Sequence, residues 1–228
     1  MPPRKKSIEQ VYRKLAAHYG RPNPTHPRGK PLDVLIETIL SQHTSDKNSH
    51  RAYLDLRRAF PRWTDVLAAD RRAIEKAIRS GGLARQKSAC IQDVLRLVRQ
   101  REGRLSLARL ARMPTADAYA YLTDLPGVGG KTAACVLLFA LNRPAMPVDT
   151  HIHRILRRLG WIRANGTPEE AQKVLETGLS PALLYHAHVL LIAHGRRTCT
   201  ARGPACGRCP IRVHCRTGRR AQKNAVLL

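Results

Sequence analysis

The stretch that most constrains this chain is Leu125-Pro-Gly-Val-Gly-Gly-Lys131, followed at once by the apolar run Thr132-Ala-Ala-Cys-Val-Leu-Leu-Phe-Ala-Leu141. A Pro-Gly-x-Gly-Gly turn needs backbone angles that a β-carbon disfavours, so its glycines specify a geometry. The run behind it is apolar on most faces and predicts a buried helix. The first N–H groups of a helix lack intrahelical partners, and a glycine-rich start presents them to phosphate oxygens. Lys131 stands in the first turn of that helix. A helix from Gly130 to Leu141 rises about 18 Å. The segment from Asn142 to Val148, with Pro144 and Pro147 barring a longer helix, can span roughly 23 Å. The chain can therefore return far enough for Asp149 to face Lys131 at the mouth of the turn.

The rest of the pattern is helical, with no convincing alternating strand. Ser7-Ile-Glu-Gln10 has the form of a capping box, and Ile8, Val11, Tyr12, Leu15 and Tyr19 form one stripe ending at Gly20. A proline-rich connector from Arg21 to Gly29, with Pro22, Pro24 and Pro27, marks a domain boundary. An apolar helix is expected over 31–40, and a second helix, started by polar caps, over 46–60. Thr64 and Asp70 read as N-caps of two short helices, the second stopping at Gly81-Gly82. A longer amphipathic helix runs about 86–102. Two short ones near 106–112 and 115–124 lead into the glycine turn, and three more follow near 150–159, 168–177 and 181–193. The fold class is all-α.

Lys and Arg together number 41 against 16 Asp and Glu, a net charge of +25. Such an excess points to a polyanionic partner, nucleic acid before an anionic membrane surface. No apolar run reaches membrane-spanning length, and Met1-Pro-Pro-Arg-Lys-Lys6 lacks the apolar core of a signal peptide, so a cytoplasmic, nucleoid-associated protein is expected. Aromatics make up only 4% of the chain, which argues against a single-strand binder built on base stacking.

Four of the six cysteines, Cys199, Cys206, Cys209 and Cys215, form a C-x6-C-x2-C-x5-C run directly after His194-Gly195. Four thiols so close, with glycine and proline between them, indicate a metal centre. Four-cysteine zinc sites usually pair two short Cys-x-x-Cys knuckles, and only Cys206 and Cys209 form one here. A [4Fe-4S] cluster tolerates looser spacing, with zinc the alternative. Cys90 and Cys135 lie on apolar helix faces and read as core residues.

Taken together, Leu125-Pro-Gly-Val-Gly-Gly-Lys131, Val148-Asp-Thr-His151, His194-Gly-Arg196 and the cysteine run resemble endonuclease III, the bifunctional DNA glycosylase/AP lyase branch of the helix-hairpin-helix superfamily. The resemblance spans about residue 31 to 215. It implies two helical lobes with a DNA-binding cleft between them. A six-helix lobe with the helix-hairpin-helix motif would occupy 29–143, and a [4Fe-4S] lobe 1–28 plus 144–228. It implies an enzyme of base excision repair that acts as a monomer on damaged double-stranded DNA, removing oxidised pyrimidines and nicking 3′ to the abasic site by β-elimination.

On that resemblance Lys131 attacks C1′ of the damaged nucleotide and Asp149 stabilises the charge developing on the sugar. Read singly, Lys131 could pair with phosphate and Asp149 could cap the helix at Thr150. Gly127, Val128 and Gly129 would hold a phosphate through backbone N–H groups, and His151 would join the DNA contacts. Leu83 matches an inserted wedge leucine, and Gln42 or His43 the second wedge that fills the hole left by the extruded base. Cys199, Cys206, Cys209 and Cys215 would ligate the cluster. Glu37 falls where adenine-mismatch glycosylases of the superfamily keep an acid. A monofunctional glycosylase using Glu37 and Asp149 is therefore one alternative, and a non-catalytic, metal-stapled DNA-binding protein another.

Overall fold

The computed structural model describes residues 3–23 and 29–220. Within them lie eleven α-helices and four short 3-10 turns, and no strand. The all-α expectation is borne out. Pro24 and Pro27 of the connector, and the basic residues after Arg220, lie outside the described residues. No helix among the described residues is long and apolar enough to cross a membrane.

The chain forms two compact units, one of which continues to Arg143 while the other resumes at Pro144. The first contains α2 (Pro31–Ser41), α3 (Asp46–Ala59), α4 (Trp63–Ala68), α5 (Arg71–Ala77), α6 (Ala84–Glu102), α7 (Thr115–Thr123) and α8 (Gly130–Phe139). Its centre is α8, whose residues from Thr132 to Leu138 are all buried. This helix packs against α2 and α7. The α2 face contributes Leu32, Leu35, Ile36, Ile39 and Leu40, all buried. Each such side chain contributes roughly 1.5–3 kcal/mol relative to exposure.

The second unit contains α1 (Lys5–Tyr19), α9 (Thr150–Leu159), α10 (Pro168–Gly178) and α11 (Pro181–Arg197). Two 3-10 turns, Cys206–Arg208 and Arg212–His214, carry the chain through the cysteine run. Helix α1 lays Ile8, Val11, Tyr12 and Leu15 against α10 and α11.

Two helix starts differ from the sequence reading. Helix α1 begins at Lys5, because the Arg4 carbonyl accepts the Ser7 and Ile8 N–H groups and so places Ser7 inside the first turn. Helix α4 begins at Trp63 rather than after Thr64. The Asp65 carboxylate accepts the Arg62 N–H at 3.1 Å, and the Trp63 indole N–H donates to Asp33 at 2.7 Å, fixing Trp63 at the helix start. Asp70 does cap α5, accepting from Arg72 N–H at 2.7 Å. Thr167 caps α10 through Glu170 N–H.

Candidate active site

Helices α7 and α8 and the turn between them form a helix-hairpin-helix. The turn is closed by Leu125 N–H on Leu122 O (3.2 Å) and Val128 N–H on Leu125 O (3.1 Å). Gly127 takes a left-handed φ of 69°. Its α-carbon also lies hard against Cys90 of α6, whose thiol donates to Pro126 O at 3.2 Å. Burial pushes the Cys90 thiol above its ordinary range, so it serves as a packing residue.

The expectation for Val128 is corrected. Its N–H is spent on Leu125 O and its side chain is 5% exposed, so it supports the turn from within. The groups left to an anion are the first N–H groups of α8, since Ala133 is the first to donate back, to Gly129 O. Lys131 is exposed in that same turn, flanked by the buried Thr132. A cation thus stands beside donors that favour an oxyanion.

The α2–α3 turn is joined to this hairpin. Gln42 donates its amide to Gly127 O at 3.2 Å and to Thr132 Oγ1 at 3.4 Å. The next residue, His43, is exposed with φ 52°. Leu83, at the start of α6, shares both properties, with φ 50° and 48% exposure. Glu37, on α2, has a carboxylate oxygen 3.9 Å from His50 Nδ1.

In the second unit, Asp149 is the N-cap of α9, its Oδ1 accepting Ile152 N–H at 2.8 Å. The capping role is therefore real, and it uses one of the two carboxylate oxygens. His151 is half-buried. Its Nδ1 lies 3.0 Å from an Arg154 nitrogen, and its ring packs on Gly195, where a β-carbon would stand 2.7 Å from His151 Cβ. That close approach explains why glycine follows His194.

The four cysteines of the run line one pocket with His194, Ile155, Leu159 and Ile211. Burial, with the three other cysteines beside it, pushes Cys209 up to about 11. Ligation would therefore have to displace protons. No three His, Cys, Asp or Glu side chains among the described residues converge closely enough for one metal ion. Four cysteine thiols lining one pocket are a sulfur donor set of the kind that holds a metal centre.

Sequence reasoning missed what holds this loop. Arg154 donates to Cys199 O at 3.0 and 2.9 Å and to Gly195 O at 2.9 Å. Arg158 donates to Thr200 O, Ala201 O and Cys199 Sγ, and its own carbonyl accepts the Cys215 thiol at 3.2 Å. Tyr19 OH bonds Thr198 Oγ1 at 2.6 Å and lies 3.0 Å from Nδ1 of His194, whose imidazole burial drives down to about 4. The only trace in the sequence is the i, i+4 spacing of Arg154 and Arg158, which places them on one face of α9.

A helix-hairpin-helix with a lysine at its second helix, and a four-cysteine pocket in a separate unit, define a class of DNA-repair protein. Residues 36–181 match the model of the HhH-GPD superfamily of base excision DNA repair proteins. The chain is 34% identical to endonuclease III of Thermotoga maritima over 96% of its own length and 97% of that protein. It is 38% identical to an Arabidopsis thaliana relative named a putative DNA glycosylase over 72% of its length, spanning 56% of that relative. Endonuclease III trapped in a covalent intermediate with DNA superposes with a TM-score of 0.80 at 28% identity, covering 96% of this chain and 98% of that one. The chain belongs to the HhH-GPD superfamily and, within it, to the endonuclease III family.

Proposed function

We propose that this chain is a base-excision DNA glycosylase with AP lyase activity, acting on oxidised pyrimidines such as thymine glycol in duplex DNA. The observation that carries the reading is Lys131, an exposed amine in the first turn of the hairpin helix. The related endonuclease III has been trapped covalently on DNA, which supports the same chemistry here.

The first-turn N–H groups of α8 hold a phosphate and fix register without reading sequence. The damaged base is rotated out of the stack at a cost of a few kcal/mol. The lone pair of neutral Lys131 Nζ attacks C1′, and the glycosidic bond breaks with its electrons leaving on the base, which takes up a proton. The sugar ring opens to a Schiff base between Lys131 and C1′. Loss of a C2′ proton then expels the 3′ phosphate and nicks the strand. Asp149 stabilises the positive charge on the sugar and accepts or steers the lysine proton.

Cys199, Cys206, Cys209 and Cys215 would hold a [4Fe-4S] cluster, which when bound cross-links the C-terminal loop. Arg154 and Arg158 fasten the backbone of that loop to α9. Iron analysis of the purified protein checks this, and stoichiometric zinc without iron would overturn it. On this reading the protein acts as a monomer on chromosomal DNA in the cytoplasm.

The deciding experiment is borohydride trapping on thymine-glycol and abasic duplexes. The expected result is a covalent adduct with wild-type protein and none with Lys131→Gln. Base release without any adduct or nick would favour a monofunctional glycosylase using Glu37 and Asp149. Duplex affinity without base release would favour a binding protein.

A further inference from the structure

One buried charge in the first unit has no part in the chemistry above. Lys87, on α6, is 3% exposed, and no carboxylate among the described residues lies within salt-bridge distance of it. Its ammonium donates instead to two backbone carbonyls, Leu40 O at 2.7 Å and Gly81 O at 2.9 Å. Leu40 lies in the last turn of α2, where carbonyls have no intrahelical donor and the helix end attracts a cation. Gly81 ends the 3-10 turn that leads to Gly82 and Leu83. Burial pulls the Lys87 ammonium below its ordinary range, so its place is held at a cost. An apolar side chain would fill the same space without that cost, but it would leave both carbonyls unbonded.

What the two carbonyls share is their position. Leu40 is three residues before His43, and Gly81 is two before Leu83. Those two are exposed and hold left-handed backbone angles that side-chain-bearing residues seldom adopt unless the surroundings enforce them. Gln42, between Leu40 and His43, is turned inward onto Gly127 O and Thr132 Oγ1, which leaves His43 as the outward member of its turn. One ammonium thus fixes the spacing between two strained turns, each ending in an exposed side chain.

We propose that Lys87 is a positioning residue for base extrusion, locking the turns that carry His43 and Leu83 into one register so that the two side chains enter the duplex as a pair. The proposal rests on the reading of this chain as a glycosylase that extrudes its substrate base. It assigns Lys87 no contact with DNA. It also assigns the second wedge to His43, with Gln42 as the brace behind it.

The test separates extrusion from chemistry. Lys87→Met keeps the aliphatic stem and removes both hydrogen bonds. It is compared with wild type, under single-turnover conditions, on a duplex with paired thymine glycol and on a duplex with a preformed abasic site. The expected loss is about tenfold on the paired lesion, with nicking at the abasic site nearly unchanged, since only the first requires a stacked base to leave. A similar loss on both substrates marks a structural role and overturns the proposal, as does no loss on either.

A second readout needs no chemistry. Fluorescence of 2-aminopurine placed beside the lesion reports unstacking on binding, and it should rise with wild type and stay low with Lys87→Met. Wild type that unstacks the probe yet releases no base defeats the catalytic reading and leaves the positioning role standing. Wild type that fails to unstack it defeats both. If Lys87→Met does not fold, the surface variants His43→Ala, Leu83→Ala and their double carry the test. A clamped pair predicts that the double loses little more than either single, whereas independent, additive losses overturn it.

Discussion

Gly127 offers the sharpest prediction, because its substitution sets two separable penalties against one neighbour. Its φ of 69° lies in the left-handed region, and a β-carbon there would stand 2.5 Å from Cys90 Sγ and 3.7 Å from Cys90 Cβ. The conformation alone costs about 1–2 kcal/mol for a residue with a β-carbon. Overpacking a filled site costs about 1–3 kcal/mol more. Cys90 can withdraw by rotating its thiol away from Pro126 O, giving up a part-buried bond from a weak S–H donor. Gly127→Ala should therefore destabilise the unit by roughly 2–5 kcal/mol. In a Cys90→Ala background the steric part disappears, and only about 1–2 kcal/mol remains. Urea unfolding of the four proteins in this cycle measures the coupling directly. An equal penalty in both backgrounds would refute the Cys90 contact, and no penalty in either would refute the left-handed turn. Duplex affinity at fixed salt should weaken with Gly127→Ala in both backgrounds, since the phosphate donors follow from the turn.

Two further predictions bear on the carboxylates. Asp149→Asn should leave stability within a few tenths of a kcal/mol, because asparagine caps as well as aspartate, while base release falls by about 10²–10⁴ if the carboxylate has its proposed catalytic role; parallel melting and single-turnover assays check it, and unchanged base release would reduce Asp149 to a cap. Glu102, whose side chain is 5% exposed, accepts two hydrogen bonds from Arg109 at 2.9 and 2.8 Å, which hold its carboxyl below the ordinary value of 4.5. With a folded value below the unfolded one, its contribution is complete above pH 4.5 and is lost as pH falls below it through the lower folded value. Urea midpoints followed downward from pH 4.5 should fall more steeply in wild type than in Glu102→Gln; parallel curves would refute the assignment.

Much of this molecule was written locally. The helical repeat, the prolines opening α2, α10 and α11, and Asp70 and Thr167 as caps are all decided within a few residues of themselves, so the sequence determined the all-α class and most helix limits. The hairpin with Lys131 and the four-cysteine run are likewise local patterns, and they announced the family before any contact was known. Where a distant group intervened, local reading failed. Asp33 takes the Trp63 indole and helps move the start of α4, and the Leu125 carbonyl takes the N–H that Val128 was expected to offer. Tertiary structure alone decided that Lys87 holds Leu40 O and Gly81 O, that Gln42 braces Gly127, and that Arg154 and Arg158 fasten the cysteine loop. The reason is the nature of the partners. Every residue carries a backbone carbonyl, so a side chain bonded to one leaves no complementary residue in the sequence, and only the folded chain shows which carbonyl it meets.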